Sequence, residues 1–93
     1  MTNETEEVRE LVYAMVRALV DSPWKVQVVA VTGGEREVKL SVSVASGDAG
    51  KVIGRAGRTA RAIRTVLYSA SRKLRIVSSL DIDGYVDREG SVE

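Results

Sequence analysis

Gly54 and Gly57, with Arg55 and Ala56 between them, bound a tight turn that splits the second half of the chain into two helices. Four glycines fall within eleven residues here, at 47, 50, 54 and 57. Ser46 or Asp48 is placed to cap a short helix ending near Ile53. A long helix is expected from about Gly57 to Lys73, because Ile63, Val66, Leu67, Ala70 and Leu74 recur at i, i+3, i+4, i+7 and i+11. On a helical wheel Arg58, Arg61, Arg64, Arg72 and Arg75 take the opposite arc, so one side docks and a basic side faces out.

The remaining elements follow from local periodicity. Residues 4 to 20 read as a helix with Val8, Leu11, Val12, Met15 and Leu19 on one stripe, Asn3 and Glu6 as a capping pair, and Asp21-Ser22-Pro23 as the stop. Trp24 follows at the joint, where a large aromatic is expected to be a packing anchor. Residues 25–32 and 37–44 read as strands, the second with Val38, Leu40, Val42 and Val44 on one face. Gly33-Gly34 between them suggests a hairpin whose primed turn needs positive φ. A third strand is expected over 76–83, with Ile76, Ser78, Leu80 and Ile82 on one face. Residues 84–93 are acidic and poor in core side chains, so a mobile tail is expected to follow a single domain of residues 1–83.

The expected order is helix, strand, strand, short helix, turn, long helix, strand. Two helices in the last crossover make the second and third strands parallel, while the first pair is antiparallel. The product is an α+β domain: a mixed three-stranded sheet covered by three helices on one face and largely open on the other.

Composition narrows the chemistry. The 93 residues include no Cys and no His, which removes thiol nucleophiles, neutral-pH imidazole catalysis, and zinc or iron-sulfur sites. No acidic run has calcium-loop spacing, so no cofactor and no enzymatic activity are expected. The first ten residues hold four Glu and one Arg, the reverse of a basic leader, and no apolar run approaches the ~20 residues that span a bilayer. A cytoplasmic protein without membrane association is expected.

Charge is divided rather than scarce. The net charge of +1 conceals eight basic and no acidic residues between Lys51 and Arg75, against six basic and thirteen acidic residues elsewhere. A compact basic face is the footprint of a nucleic-acid partner, and a solvated helix face is the bland reading of the same charges. The glycine-rich segment bears on the choice. A P-loop requires Gly at 45 and Ser or Thr at 52, where the chain has Ala45 and Val52, and the spacing of 47, 50, 54 and 57 contains no dinucleotide fingerprint. What remains is Val52-Ile53-Gly54-Arg55-Ala56-Gly57-Arg58, a GxxG turn behind paired aliphatics, flanked by cations. Glycine without a Cβ lets a sugar-phosphate backbone approach, and the following helix offers free N–H groups to an anion. Two glycines that merely connect two helices would look the same in isolation.

From about Val8 to Ile82 the chain resembles a type II KH domain (αββααβ), in particular the small bacterial single-KH proteins of the KhpA (YlqC) type. The likeness is carried by Leu19 to Pro23, by Asp48 to Arg58, and by Ala62-Ile63-Arg64-Thr65; Ala60 stands where many such proteins have a larger aliphatic. The resemblance implies binding of single-stranded RNA, an RNA-chaperone role in regulation linked to cell elongation and shape, and pairing as a homodimer or with a larger KhpB-type KH protein. Residue by residue, Gly54 to Gly57 would clamp about four nucleotides, with Lys51, Arg55, Arg58, Arg61 and Arg64 supplying charge. Val52, Ile53 and an aliphatic of the second strand would line the groove under the bases, and Tyr68, on the basic arc, is expected to be a half-exposed structural residue. The rival reading is an interaction module that dimerises with little direct RNA binding. Five Arg on one helix face argue against it, since interface cores are depleted in charge.

Overall fold

The computed structural model describes residues 2–83. Helix α1 spans Thr2–Arg17, strand β1 Gln27–Thr32, β2 Glu37–Ser43, helix α2 Ala49–Ile53, helix α3 Arg58–Leu74 and strand β3 Val77–Ile82, with 3-10 turns at Pro23–Lys25 and Arg55–Gly57. The expected tail lies outside the described residues. The sheet order is β1-β2-β3, antiparallel between β1 and β2 and parallel between β2 and β3, as the connections require. The helices and this mixed sheet make an α+β fold, with α1 lying on β1, α3 on β3, and the two long helices on each other.

The core is built mostly from valine. Val8, Val12 and Val16 form the buried stripe of α1, and Val38, Leu40 and Val42 point from β2 into the same layer. The buried stripe of α1 is thus rotated from the expected one: Leu11 and Met15 are half-buried and Leu19 is exposed. In α3 the buried positions are Ala60, Ile63, Leu67 and Ser71, while Val66 faces solvent. Small Ser71 lets α3 settle closely on β3. Ser71 satisfies its hydroxyl with Ser78 of β3 at 2.6 Å, as a buried polar group must.

Several local expectations are overturned. Helix α1 begins at Thr2, so Asn3 is inside its first turn; the Glu6 carboxylate instead takes the Arg9 guanidinium at 2.6 Å, which holds its pKa below the ordinary value. The helix also stops at Arg17 rather than near 20. Its ladder ends early because the Asp21 and Ser22 N–H groups donate to the Asp48 carboxylate, 3.3 and 3.0 Å away, instead of continuing the helix.

Trp24 is not a packing anchor. The Pro23–Lys25 turn buries none of its residues, and Trp24 is 74% exposed, while the neighbouring Val26 is buried in its place. The hairpin also differs. Among the described residues the glycines with positive φ are Gly54 and Gly57, so Gly33-Gly34 does not form a primed turn. Gly33 N–H donates to the Glu37 carbonyl at 3.0 Å across a longer loop, and Arg36 takes the left-handed conformation at φ 63°. That geometry sends the Arg36 guanidinium to the Arg75 and Leu74 carbonyls, at 2.6 and 2.8 Å, capping the C-terminus of α3.

Candidate nucleic-acid interface

The turn between α2 and α3 depends on its two glycines for different reasons. Gly54 has φ 79° and ψ 168°, a region essentially restricted to glycine, and a Cβ there would stand 2.8 Å from the Thr59 backbone nitrogen. Gly57, at φ 74° and ψ 15°, is left-handed, buried, and serves as the N-cap of α3. Its N–H closes the turn on the Gly54 carbonyl at 3.0 Å. Ala56 is left-handed as well, at φ 56°, so Arg55 and Ala56 project at the tip and both are exposed. The α3 N-terminus carries no side-chain cap and no acidic residue in its first turn; the Arg58 N–H donates to the Arg55 carbonyl, and the exposed Arg55 and Arg58 side chains flank this end of the helix.

The predicted site residues divide into groups. Arg55, Ala56 and Arg58 are exposed around the turn; Ile53, Gly54, Arg61 and Arg64 are half-buried beside it, and the Arg61 Nε is buried without a hydrogen-bond partner. Val52 is not a groove residue: its side chain is 0% exposed, because the inward face of α2 must seal the core above β3. The second strand offers no aliphatic either, since Val38, Leu40 and Val42 lie under the helices, and the strand beside α2 is β3. Lys51 is exposed but engaged, with Nζ 3.4 Å from Asp21 and 3.7 Å from Asp48.

Arg72, Lys73 and Arg75 lie at the far end of α3, about 20 Å along the axis from Arg58, so the basic arc is split between the two ends of the helix. Tyr68 is exposed, and Arg72 lies 5.7 Å over its ring while donating to its hydroxyl at 3.3 Å.

One residue that positions the site has no periodic signature. Asp48 is 3% exposed, and its carboxylate gathers the two N–H groups of the 21–22 segment and the Lys51 ammonium. It makes no side-chain cap on α2. Instead it ties the end of α1 to the start of the helix that carries the glycine turn. An acidic residue just ahead of a helix reads as its cap, so only the fold reveals a bond across 27 positions. Among the described residues no acidic cluster suits a metal ion, and no helix is long and apolar enough to cross a membrane.

Comparison with known proteins gives a family match. The family model of the KhpA/KhpB KH domain matches residues 9–82. Similar proteins include one from Clostridium acetobutylicum, 47% identical over 66 residues, covering 71% of this chain and 87% of that protein. One from Treponema pallidum is 44% identical over 73 residues, covering 78% and 90%. A third, from Chlamydia trachomatis, is 39% identical over 75 residues, covering 81% and 95%. Each of the three bears the name RNA-binding protein KhpA. No solved structure matches the chain.

Proposed function

The chain belongs to the KhpA/KhpB KH-domain family, and from that premise we propose that it binds single-stranded RNA through the Gly54–Gly57 turn and acts as a cytoplasmic RNA chaperone or post-transcriptional regulator, not as an enzyme. The observation that carries this reading is Gly54, whose backbone lies where other residues are strained, next to an uncapped helix N-terminus and the exposed cations Arg55 and Arg58. A plain helix connector could use the same glycines, but it has no need of two exposed cations at its tip, whereas a sugar-phosphate strand does. The names of the relatives support the same ligand class.

The proposed mechanism is electrostatic and steric. One strand lies along the turn with its phosphates on the α3 N-terminus and on Arg55 and Arg58, while half-buried Ile53 supports the bases. Filter binding of single-stranded RNA and duplex DNA at two salt concentrations tests it. Single-stranded RNA is expected to bind weakly, with a log-log salt slope of about −2 to −3 for three or four phosphates. A slope near zero would refute the electrostatic account.

A second reading rests on a separate observation. Met15, Ala18, Leu19, Ala62 and Val66 line an apolar groove of about 310 Å³ between the end of α1 and α3. Leu19 and Val66 are exposed there, which suits pairing with a second copy or with a KhpB-type partner. Sedimentation at tens of micromolar distinguishes the two states, and a monomer mass counts against self-association.

A further inference from the structure

We propose that Trp24 is a base-stacking residue that extends the RNA site beyond the glycine turn, taking an unpaired nucleobase of the strand held at Gly54–Gly57. The inference rests on the RNA-binding reading above.

Trp24 is the sole tryptophan of a chain without phenylalanine, and its side chain has no role in the core. Exposing so large an aromatic is unfavourable unless something covers it. Its position is set by the fold. The preceding Asp21 and Ser22 are held by the Asp48 carboxylate, and Asp21 pairs with Lys51, so the Pro23–Lys25 turn is fastened to the N-terminal end of α2. Strand register places the start of β1 at the same end of the sheet, since Gln27 pairs with Ser43 and Val42 with Ile82. The α2 helix then rises about 9 Å from Asp48 to Gly54. Two residues of chain separate Trp24 from Ser22, a reach of about 7 Å. Trp24 therefore stands within roughly 20 Å of the glycine turn.

The chemistry around it favours a nucleobase over a protein surface. The core of a protein–protein interface is depleted in charged residues. Trp24 is flanked instead by Pro23 and exposed Lys25, and the turn buries no residue. A π-face beside cations is the pairing that single-strand binders use, in which the base stacks and the ammonium meets its phosphate.

Excited at the red edge of the indole band, where the three tyrosines absorb little, the intrinsic fluorescence of the full chain reports on this residue alone. End-labelled oligoribonucleotides of four and twelve nucleotides are titrated by anisotropy against the parent, Trp24→Ala and Trp24→Phe. The twelve-nucleotide strand is expected to quench Trp24 on saturation and to bind Trp24→Ala about fivefold to a hundredfold more weakly, as for loss of one stacked base. Trp24→Phe should keep most of the affinity, the four-nucleotide strand should not distinguish the variants, and the salt slope should be unchanged because no phosphate contact is lost. The melting temperature should hold at so exposed a position. If the parent binds the labelled long strand while its fluorescence is unmoved and Trp24→Ala binds equally, this inference fails and the RNA-binding reading stands. If Trp24→Ala changes only the sedimenting mass, the residue serves a protein contact and the inference fails. If the parent binds neither oligonucleotide, both readings fail together.

Discussion

Replacing Gly54 with Ala tests the turn at its most constrained atom. The backbone there, at φ 79° and ψ 168°, lies in a region where a residue with a Cβ costs on the order of 1 to 3 kcal/mol. Space adds a second cost. The new methyl would meet the Thr59 backbone nitrogen and Cβ at 2.8 Å each, and that nitrogen belongs to the first turn of α3, which moves only if the helix moves. We expect a loss of about 3 kcal/mol, a large share of the roughly 5 to 14 kcal/mol available to a domain of this size. At about 4 to 8 °C per kcal/mol the melting temperature should fall by some 12 to 24 °C.

Gly50 provides the internal control. It lies in α2 without a positive φ, and a methyl group placed on its Cα would have nothing within 4 Å, so Gly50→Ala should be neutral or stabilising by about 0.5 to 1 kcal/mol. Urea denaturation of both variants with a common slope gives the comparison. If Gly54→Ala stays within about 0.5 kcal/mol of the parent, or proves no worse than Gly50→Ala, the strain argument is wrong. A Gly54→Ala protein that folds should also bind RNA less well, because relieving the clash shifts the turn away from Arg58.

The double variant Arg55→Asp/Ala56→Asp places two negative charges at the exposed tip and removes one positive charge. It should lower RNA affinity several tens-fold or more, at on the order of 1 kcal/mol per unit charge, while melting almost unchanged because Asp tolerates the left-handed conformation at 56. Filter binding and a thermal melt of the same sample check both halves. Asp48→Asn leaves one carbonyl oxygen where two oxygens now serve the Asp21 and Ser22 N–H groups, and should cost about 1 to 3 kcal/mol by urea denaturation. Arg36→Ala removes the cap on the Leu74 and Arg75 carbonyls and should destabilise by about 1 kcal/mol, with amide exchange accelerating first at the end of α3.

The order of the elements, the parallel pairing of β2 with β3, and the position of the glycine turn were legible in the sequence because each rests on near neighbours. Val38, Leu40 and Val42 alternate within one strand, the hairpin joins adjacent strands, and only a crossover of two helices connects β2 to β3. Gly54 and Gly57 announced a turn because glycine's conformational freedom is intrinsic to the residue. What the tertiary structure decided was which of the named side chains remain available. Val52 has the same chemistry as an exposed aliphatic until α2 is laid over β3, and Lys51 is one more cation until the fold brings Asp21 to it beside Asp48. Trp24 reads as core by its size, yet the core is built from valines of α1 and β1 and leaves Trp24 out. The end of α1 likewise depends on a carboxylate 26 and 27 residues away. Periodicity records the face a residue occupies on its own element, but burial and ion pairing depend on what other elements bring against that face, and those partners are far apart in the chain.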